Sequence, residues 1–221
     1  MRVSVIVPAK NEERAIGAVI RGIRAVMGKG AEILVVDGSS TDRTVENARE
    51  ADADAIVIQQ EGSGKGMAVR TAIKHVTGDA IVLIDSDLTY DPHDIPRVLE
   101  PILNDEADAV LGSRLAGKIE KGAMVTTNRL GNHLYSVLTS LRCGMRLTDP
   151  LTGLRAYKKE TLAEISLTSS GFEIETELNI KSAKLGLRIV EVPISYRRRL
   201  GGTKLRVFRD GLRILKKIFW A

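Results

Sequence analysis

The chain has 221 residues, of which 43% are hydrophobic, and a formal net charge of +5 at pH 7. This length suits one domain with an ordinary buried core. Its single cysteine, Cys143, excludes an intramolecular disulfide and a cysteine-based zinc site, and it is typical of a reducing compartment. No stretch approaches about 18 consecutive apolar residues, and Met1 leads straight into a strand-like run. We therefore expect no membrane span, no signal peptide and a cytoplasmic location.

The positive charge is concentrated near the C-terminus. Residues 196–221 hold nine of the 33 Lys and Arg residues but one of the 28 acidic residues. Proteins that follow a nucleic-acid backbone usually combine such a basic stripe with exposed aromatic side chains. Only 4% of this chain is aromatic. The composition therefore does not favour a nucleic-acid partner, and it leaves the oligomeric state open.

In the first half of the chain, short apolar runs rich in β-branched residues alternate with segments whose apolar residues recur at helical spacing. The predicted strands are 3–7, 32–36, 55–58, 80–84 and 109–111, and the predicted helices are 15–27, 44–51, 66–76 and 95–103. This alternation predicts an α/β fold with a mainly parallel, doubly wound sheet flanked by helices. Ligands of such sheets bind beyond the carboxyl ends of the strands.

The pattern loosens after residue 114. We expect a loop at 115–123, a helix at 125–141, a turn at 149–153, a strand at 154–157, a helix at 172–185 and a strand at 187–196. Pro193 in the last strand predicts a sheet edge or a strand end. We expect one domain over residues 1–204, followed by a basic amphipathic helix over 205–221.

Two carboxylates follow the apolar run 80–84 directly. Asp85 and Asp87 are spaced i, i+2 where the predicted strand ends. Carboxylates beside a buried strand repel each other and are costly to desolvate unless something positive lies between them. A hard divalent cation that also contacts a phosphate fits this position. The alternative is a solvated strand end or a helix N-cap.

Other polar residues follow the remaining strands. Asp37 ends the second strand, where a carboxylate can accept hydrogen bonds from a nucleobase or a ribose hydroxyl. Glu12 either favours the start of a helix or contacts a nucleoside. Arg114, directly after a strand, and Arg129, early in a helix, are either solvated or clamp a diphosphate.

Two further motifs leave alternatives open. The segment 64–66, Gly-Lys-Gly, does not complete a Walker loop, because Gln59 replaces the first Gly and Gly66 replaces Ser or Thr. A loop that contacts phosphate or acceptor remains possible there. Among Glu173, Glu175 and Glu177, one could act as a general base, or all three could belong to a solvated helix start.

Six motifs, taken in order, resemble the GT-A glycosyltransferases of family 2. Within these the chain is most similar to the dolichol-phosphate mannose synthases and related polyprenyl-phosphate sugar transferases, over nearly its whole length. The motifs are 5–12, 35–42, 85–87, 112–114, 149–153 and 191–194. Segment 201–205 also resembles a Gly-x-Ser-Lys-Leu loop of that family, with Thr203 in place of Ser.

The resemblance implies a Rossmann-like GT-A fold and a nucleotide-sugar donor. Mg²⁺ or Mn²⁺ would bridge the donor diphosphate to Asp85 and Asp87, and Asp87 and Arg114 would be the catalytic pair. The implied nucleotide-binding residues are Pro8, Glu12, Asp37, Asp85, Ser86 and Asp87. The implied contacts to donor or acceptor phosphate are Arg114, Arg129, Arg198 and Lys204. Gly38 and Lys10 depart from the family pattern, which leaves guanine or uracil open.

The implied reaction is an inverting, metal-dependent transfer of a hexose from a GDP- or UDP-linked donor to polyprenyl phosphate. The second pKa of a phosphate monoester is about 6, so such an acceptor needs no strong base. The alternative is a soluble transferase that makes a small glycoside, such as a glycerate-type osmolyte precursor.

The C-terminal helix bears on this choice. Its predicted apolar stripe is Leu205, Phe208, Leu212, Leu215 and Phe219, with basic residues on either side. The stripe either lies on an anionic membrane or packs on the domain. The first alternative implies peripheral contact at the cytosolic face of a membrane.

Overall fold

The chain forms a seven-stranded sheet flanked by eight α-helices in a computed structural model that describes residues 1–52, 54–204 and 206–220. The strands are β1 Val3–Ala9, β2 Glu32–Asp37, β3 Ile56–Gln59, β4 Ala80–Leu83, β5 Ala109–Ile119, β6 Arg155–Lys158 and β7 Ile189–Tyr196. The helices are α1 Ile16–Met27, α2 Thr44–Ala51, α3 Lys65–Ile73, α4 Ile95–Leu103, α5 Thr126–Cys143, α6 Lys159–Glu164, α7 Ile174–Lys184 and α8 Val207–Trp220. A short 3₁₀ turn, Pro92–Asp94, precedes α4.

The strand order is β3-β2-β1-β4-β6-β5-β7. Strand β6 runs antiparallel to both of its neighbours, and the other four strand pairs are parallel. The predicted mainly parallel sheet is therefore confirmed. The edge position that Pro193 predicted is also confirmed, because β7 is the last strand of the sheet.

Both faces of the central strands are buried, as expected for parallel strands covered by helices on each side. Val5 and Val7 of β1 belong to one apolar cluster, which includes residues of α1 and α4. Ile6, which points to the other face, packs in a second cluster with residues of α3 and α7. This alternation explains why the central strands read as continuous apolar runs.

Two parts of the second half differ from the expectation. The loop predicted at 115–123 is wrong for its first part, because β5 continues to Ile119 and pairs with β7 after a register shift. Gly117 lets the two strands approach, since a Cβ there would lie 2.0 Å from the carbonyl oxygen of Ile194. Helix α6 was not predicted; it is six residues long and follows β6 without a break.

The predicted C-terminal helix is present as α8, which packs against α5 and α7. Its packed face carries Asp210, Ile214 and Ile218, which are buried. The stripe expected from the sequence lies on another face: Phe208, Leu212 and Phe219 are exposed, while Leu205 lies outside the described residues. Among the described residues, no helix is both long enough and apolar enough to cross a membrane.

Candidate active site

An open cleft of about 960 Å³ lies at the carboxyl ends of β1 and β4, with α8 forming part of its wall. Parallel strands bring their carboxyl ends to one edge of the sheet, which is why residues far apart in the chain meet here. The predicted site residues that line the cleft are Pro8, Glu12, Asp85, Ser86, Asp87, Arg114 and Lys204.

Asp85 is held by a lysine at the first turn of α3. The Lys65 ammonium nitrogen lies 2.5 Å from Asp85 Oδ1 and 2.7 Å from Oε1 of Glu175, which is itself buried. These carboxylates hold the pKa of Lys65 above its ordinary value, although burial alone would lower it. Gly153 permits this arrangement, because a Cβ at that position would lie 2.4 Å from Asp85 Oδ2.

Asp87 is fixed from two sides. Its Oδ1 accepts hydrogen bonds from the backbone N–H of Thr89 at 3.0 Å and from the Thr89 hydroxyl at 2.5 Å. Its Oδ2 forms an ion pair with Arg199. Between the two aspartates, the Ser86 hydroxyl donates to the carbonyl of Pro8 at 2.8 Å and so ties this loop to the end of β1.

Glu12 faces the cleft. Its carboxylate forms ion pairs with Arg199 and Lys204, while its backbone carbonyl accepts from the N–H groups that begin α1. The side chain therefore lines the cleft, and its contact with a nucleoside stays a prediction. Burial raises the pKa of Glu12, and the adjacent cations only partly offset this effect.

Arg114 is buried and bound to a carboxylate. Its Nε and Nη2 each lie 2.7 Å from an oxygen of Asp149, and its guanidinium carbon lies 5.2 Å from the centre of the Tyr196 ring. The backbone N–H groups of Thr148 and Asp149 donate in turn to Glu191. The solvated alternative for Arg114 is therefore wrong, and the side chain is a buried, ion-paired part of the cleft wall.

Three predicted site residues lie away from the cleft wall. Asp37 is buried, and its carboxylate accepts from the backbone N–H of Ser40 at 3.1 Å. Arg198 is largely exposed and donates to the carbonyl of Lys121 at 2.7 Å. Arg129 is exposed on α5. Their contacts to donor or acceptor stay predictions.

Two residues that line the cleft, Arg199 and Tyr90, were not predicted from the sequence. Lys65 belongs to segment 64–66, for which a contact to phosphate or acceptor was left as one possibility. Lysine at the first turn of a helix opposes the helix dipole, and this placement was a usable signal that Lys65 has a carboxylate partner. Arg199 gave no comparable signal, because it stands in a run of three arginines, 197–199.

The donor set of Asp85 and Asp87 fits a hard cation. Within the described residues no group of three or more His, Cys, Asp or Glu side chains could hold a metal ion alone. Mg²⁺ in phosphate-binding sites is usually held by one or two carboxylates together with substrate phosphates and water. Two carboxylates at the edge of an open cleft match that type of site.

Known proteins resemble this chain over most of its length. The family model described as glycosyl transferase family 2 matches residues 4–166. A dolichyl-phosphate hexose transferase of Haloferax volcanii is 41% identical over 217 residues, covering 97% of this chain and 91% of that protein. The glycosyltransferase AglJ of the same organism is 39% identical over 213 residues, covering 95% of this chain and 68% of that protein.

A solved structure is also similar. It is glucosyl-3-phosphoglycerate synthase of Mycobacterium tuberculosis in complex with Mn²⁺, UDP-glucose and phosphoglyceric acid. The match has a TM-score of 0.79 and 27% sequence identity, and covers 98% of this chain and 78% of that one. The family match, the relatives and the shared fold lead to one conclusion: the chain belongs to glycosyl transferase family 2 and is a glycosyltransferase.

Proposed function

We propose that the protein transfers a hexose, with inversion, from a nucleotide sugar to a polyprenyl phosphate, with Mg²⁺ or Mn²⁺ bound at Asp85 and Asp87. One observation carries the proposal. Helix α8 lines the cleft with arginines on one side and exposes large apolar side chains on another. A phosphate attached to a long apolar chain matches both surfaces.

The donor end of the cleft is the edge formed by β1 and β4. Asp85 and Asp87 would hold the cation, and Pro8, Glu12 and Ser86 line the same part of the cleft. The bound cation would supply positive charge to the departing nucleoside diphosphate. Lys65, Arg199 and Lys204 lie beside these carboxylates and would add further positive charge there.

Arg114 has a separate role in this proposal. Asp149 fixes its guanidinium by two hydrogen bonds, so the side chain needs no rearrangement when substrate arrives. A charged donor that is already oriented stabilises developing charge better than one that must first be ordered. We assign Arg114 to the transferring or leaving group.

The acceptor end is the α8 wall. Arg206, Arg209 and Arg213 line it, and Arg209 also contacts Asp210 at 3.1 Å. An acceptor phosphate is largely dianionic at neutral pH, so it can attack the sugar without a strong base. Glu175, one of the three glutamates that could act as a general base, is already ion-paired with Lys65. Direct attack by the phosphate suits this arrangement.

Two exposed apolar stripes support a lipid acceptor and contact with an anionic membrane. On α8 the exposed side chains are Phe208, Leu212, Phe219 and Trp220. On α5 they are Leu130, Leu134, Val137 and Leu141, spaced i, i+4, i+7 and i+11 along one helix face. Helices of this type, with adjacent arginines and lysines, bind the interface of anionic bilayers. This contact would place the cleft at the cytosolic face of a membrane.

A second candidate is a transferase that acts on a small phosphorylated acid. The solved structure of glucosyl-3-phosphoglycerate synthase favours it, because its overall fold matches this chain and its ligands include phosphoglyceric acid. The arginines of α8 suit any acceptor phosphate. The exposed apolar stripes, however, have no role in this alternative.

A direct assay separates the two candidates. Purified protein with Mn²⁺ is given radiolabelled UDP- or GDP-hexoses together with either polyprenyl phosphate in detergent or 3-phosphoglycerate. We expect label to enter the organic phase with the lipid acceptor, and Asp87→Ala to abolish the transfer. Asp54→Ala, at an exposed position away from the cleft, is the matched control. Transfer to 3-phosphoglycerate alone would establish the second candidate instead.

A further inference from the structure

Basic side chains of the cleft form ion pairs with the two aspartates where a metal would bind. Four carboxylates, those of Glu12, Asp85, Asp87 and Glu175, are paired with three cations. Lys65 joins Asp85 to Glu175, Arg199 joins Asp87 to Glu12, and Lys204 also contacts Glu12. All seven side chains line the same cleft.

We infer that Lys65 and Arg199 neutralise Asp85 and Asp87 in the free enzyme. When the metal binds these two aspartates, Lys65 and Arg199 form ion pairs with the donor diphosphate instead. The nucleotide sugar then enters together with the divalent cation. This inference rests on the proposed function, since it concerns the same donor and metal.

Charge conservation supports this exchange. A nucleotide sugar carries one negative charge on each phosphoryl group, so its complex with a divalent cation is close to neutral. Entry of that complex leaves the net charge of the seven groups unchanged. Those seven groups, four carboxylates and three cations, sum to one negative charge. The diphosphate without the metal would raise this to three negative charges among side chains that are mostly buried, where unbalanced charge is costly.

Lys65 and Arg199 each have a hydrogen-bond donor that their carboxylate partners do not use. The contacts with Asp85 and Glu175 use two of the three donors of the Lys65 ammonium group. The Nε of Arg199 is among the buried polar atoms of the described residues that have no hydrogen-bond partner. Both side chains therefore retain a donor for a phosphate oxygen before they release their carboxylates.

The two cations lie on segments outside the central sheet. Arg199 lies between β7 and α8, in a described stretch that has neither helix nor strand. Lys65 is the first residue of α3 and follows Gly64, whose φ is +98°. Neither side chain is held by an element of the central sheet.

Equilibrium dialysis tests the inference by measuring Mn²⁺ alone, UDP-glucose or GDP-mannose alone, and each pair together. In Lys65→Gln, we expect the affinity for Mn²⁺ alone to rise and the affinity for nucleotide sugar alone to fall, each by about tenfold. The two affinities change in opposite directions because Lys65 competes with the metal for Asp85 but binds the diphosphate of the nucleotide sugar. A purely structural lysine would not produce these opposite changes.

Lys74→Gln is the matched control, because Lys74 pairs with Glu61 at 2.5 Å on the exposed surface of the domain. It should leave both affinities unchanged. If circular dichroism shows that Lys65→Gln does not fold, Arg199→Gln replaces it, with the same opposed shifts expected. If a folded variant shifts its affinities for Mn²⁺ and for nucleotide sugar in the same direction, or shifts neither, the inference is wrong. The proposed function would still stand in that case, provided that the wild type binds the two ligands. Failure of the wild type to bind any combination would overturn both.

Discussion

Asp149 holds Arg114 in place in the wall of the cleft. It is completely buried, and both of its oxygens bind the guanidinium of Arg114. It also accepts from the backbone N–H of Arg114 at 2.9 Å. A buried ion pair is not in itself strongly stabilising, but removing one partner leaves an uncompensated charge.

We therefore expect Asp149→Asn to lower the free energy of unfolding by about 3 kcal/mol and to reduce transfer activity, because Arg114 loses both its counter-ion and its orientation. Denaturant unfolding monitored by circular dichroism measures the first effect. Asp105→Asn is the control, since the Asp105 side chain is 78% exposed and its ion pairs are screened by solvent. Equal stability of the Asp149 variant and wild type would contradict this role.

At the residue scale, the sequence predicted those cleft residues that are close to one another in the chain. Asp85 and Asp87 were found because their spacing and the preceding apolar run are local. Arg199, by contrast, pairs with Asp87 across 112 positions of sequence separation, and no local pattern reports such a partner. Sequence reasoning placed Asp37 near a nucleoside; its carboxylate accepts from the backbone N–H of Ser40, and the nucleoside contact stays a prediction.

At the scale of elements, α8 is anchored to α7 by a buried carboxylate. Glu177 accepts from the backbone N–H of Ser169 at 2.7 Å and lies 2.8 Å from Lys181 and 3.4 Å from Lys217 of α8. Burial alone would raise the pKa of Glu177, but hydrogen bonds from Lys181, Thr168 and Ser169 outweigh it and hold the pKa well below the ordinary value.

Because the folded-state pKa of Glu177 is lowered, its stabilisation is present above the ordinary value of 4.5 and is lost as the pH falls toward the folded value. We expect Glu177→Gln to cost about 2 kcal/mol of unfolding free energy at pH 7, and the difference from wild type to shrink below pH 4.5. Urea titrations at pH 7 and pH 3.5 measure it. A difference that grows on acidification would refute this assignment.

The exposed stripes of α5 and α8 give a prediction that concerns membrane contact. Phe208 and Leu212 are 90% and 68% exposed, so Phe208→Ser with Leu212→Ser should leave the thermal midpoint unchanged. The same pair should weaken flotation with anionic liposomes, as should removal of residues 205–221, because apolar area drives interfacial binding. Glu46→Ser with Glu50→Ser on α2, away from both stripes, is the control. Unchanged flotation of both variants would refute the interfacial role.

Elements with strong local periodicity were predicted well, and those that depend on tertiary pairing were not. The predicted bounds of α2 and α4 agree with the structure. The extension of β5 to Ile119 was missed because it exists only through pairing with β7, across a register shift that Gly117 permits. The sequence found the amphipathic character of α8 but not which of its faces would pack.

At the scale of the whole molecule, the sheet brings polar and charged side chains from distant parts of the chain together at one edge. Residues of β1, of the loop after β4 and of the segment between β7 and α8 meet in one cleft, although up to 192 positions separate the partners of a single ion pair. The alternating strand–helix pattern predicted that edge, because parallel strands share the direction of their carboxyl ends. The wall formed by α8 could not be predicted, since it depends on how the last helix packs against α5 and α7.

A crystal structure of the protein with Mn²⁺ and a nucleotide sugar tests the central claim most directly. The anomalous signal of manganese locates the cation independently of the organic ligand. We predict a peak within coordination distance of Asp85 or Asp87, with the donor diphosphate on its other side and Lys65 and Arg199 turned toward the phosphates. A manganese peak elsewhere, or a diphosphate bound away from these two aspartates, would contradict the account.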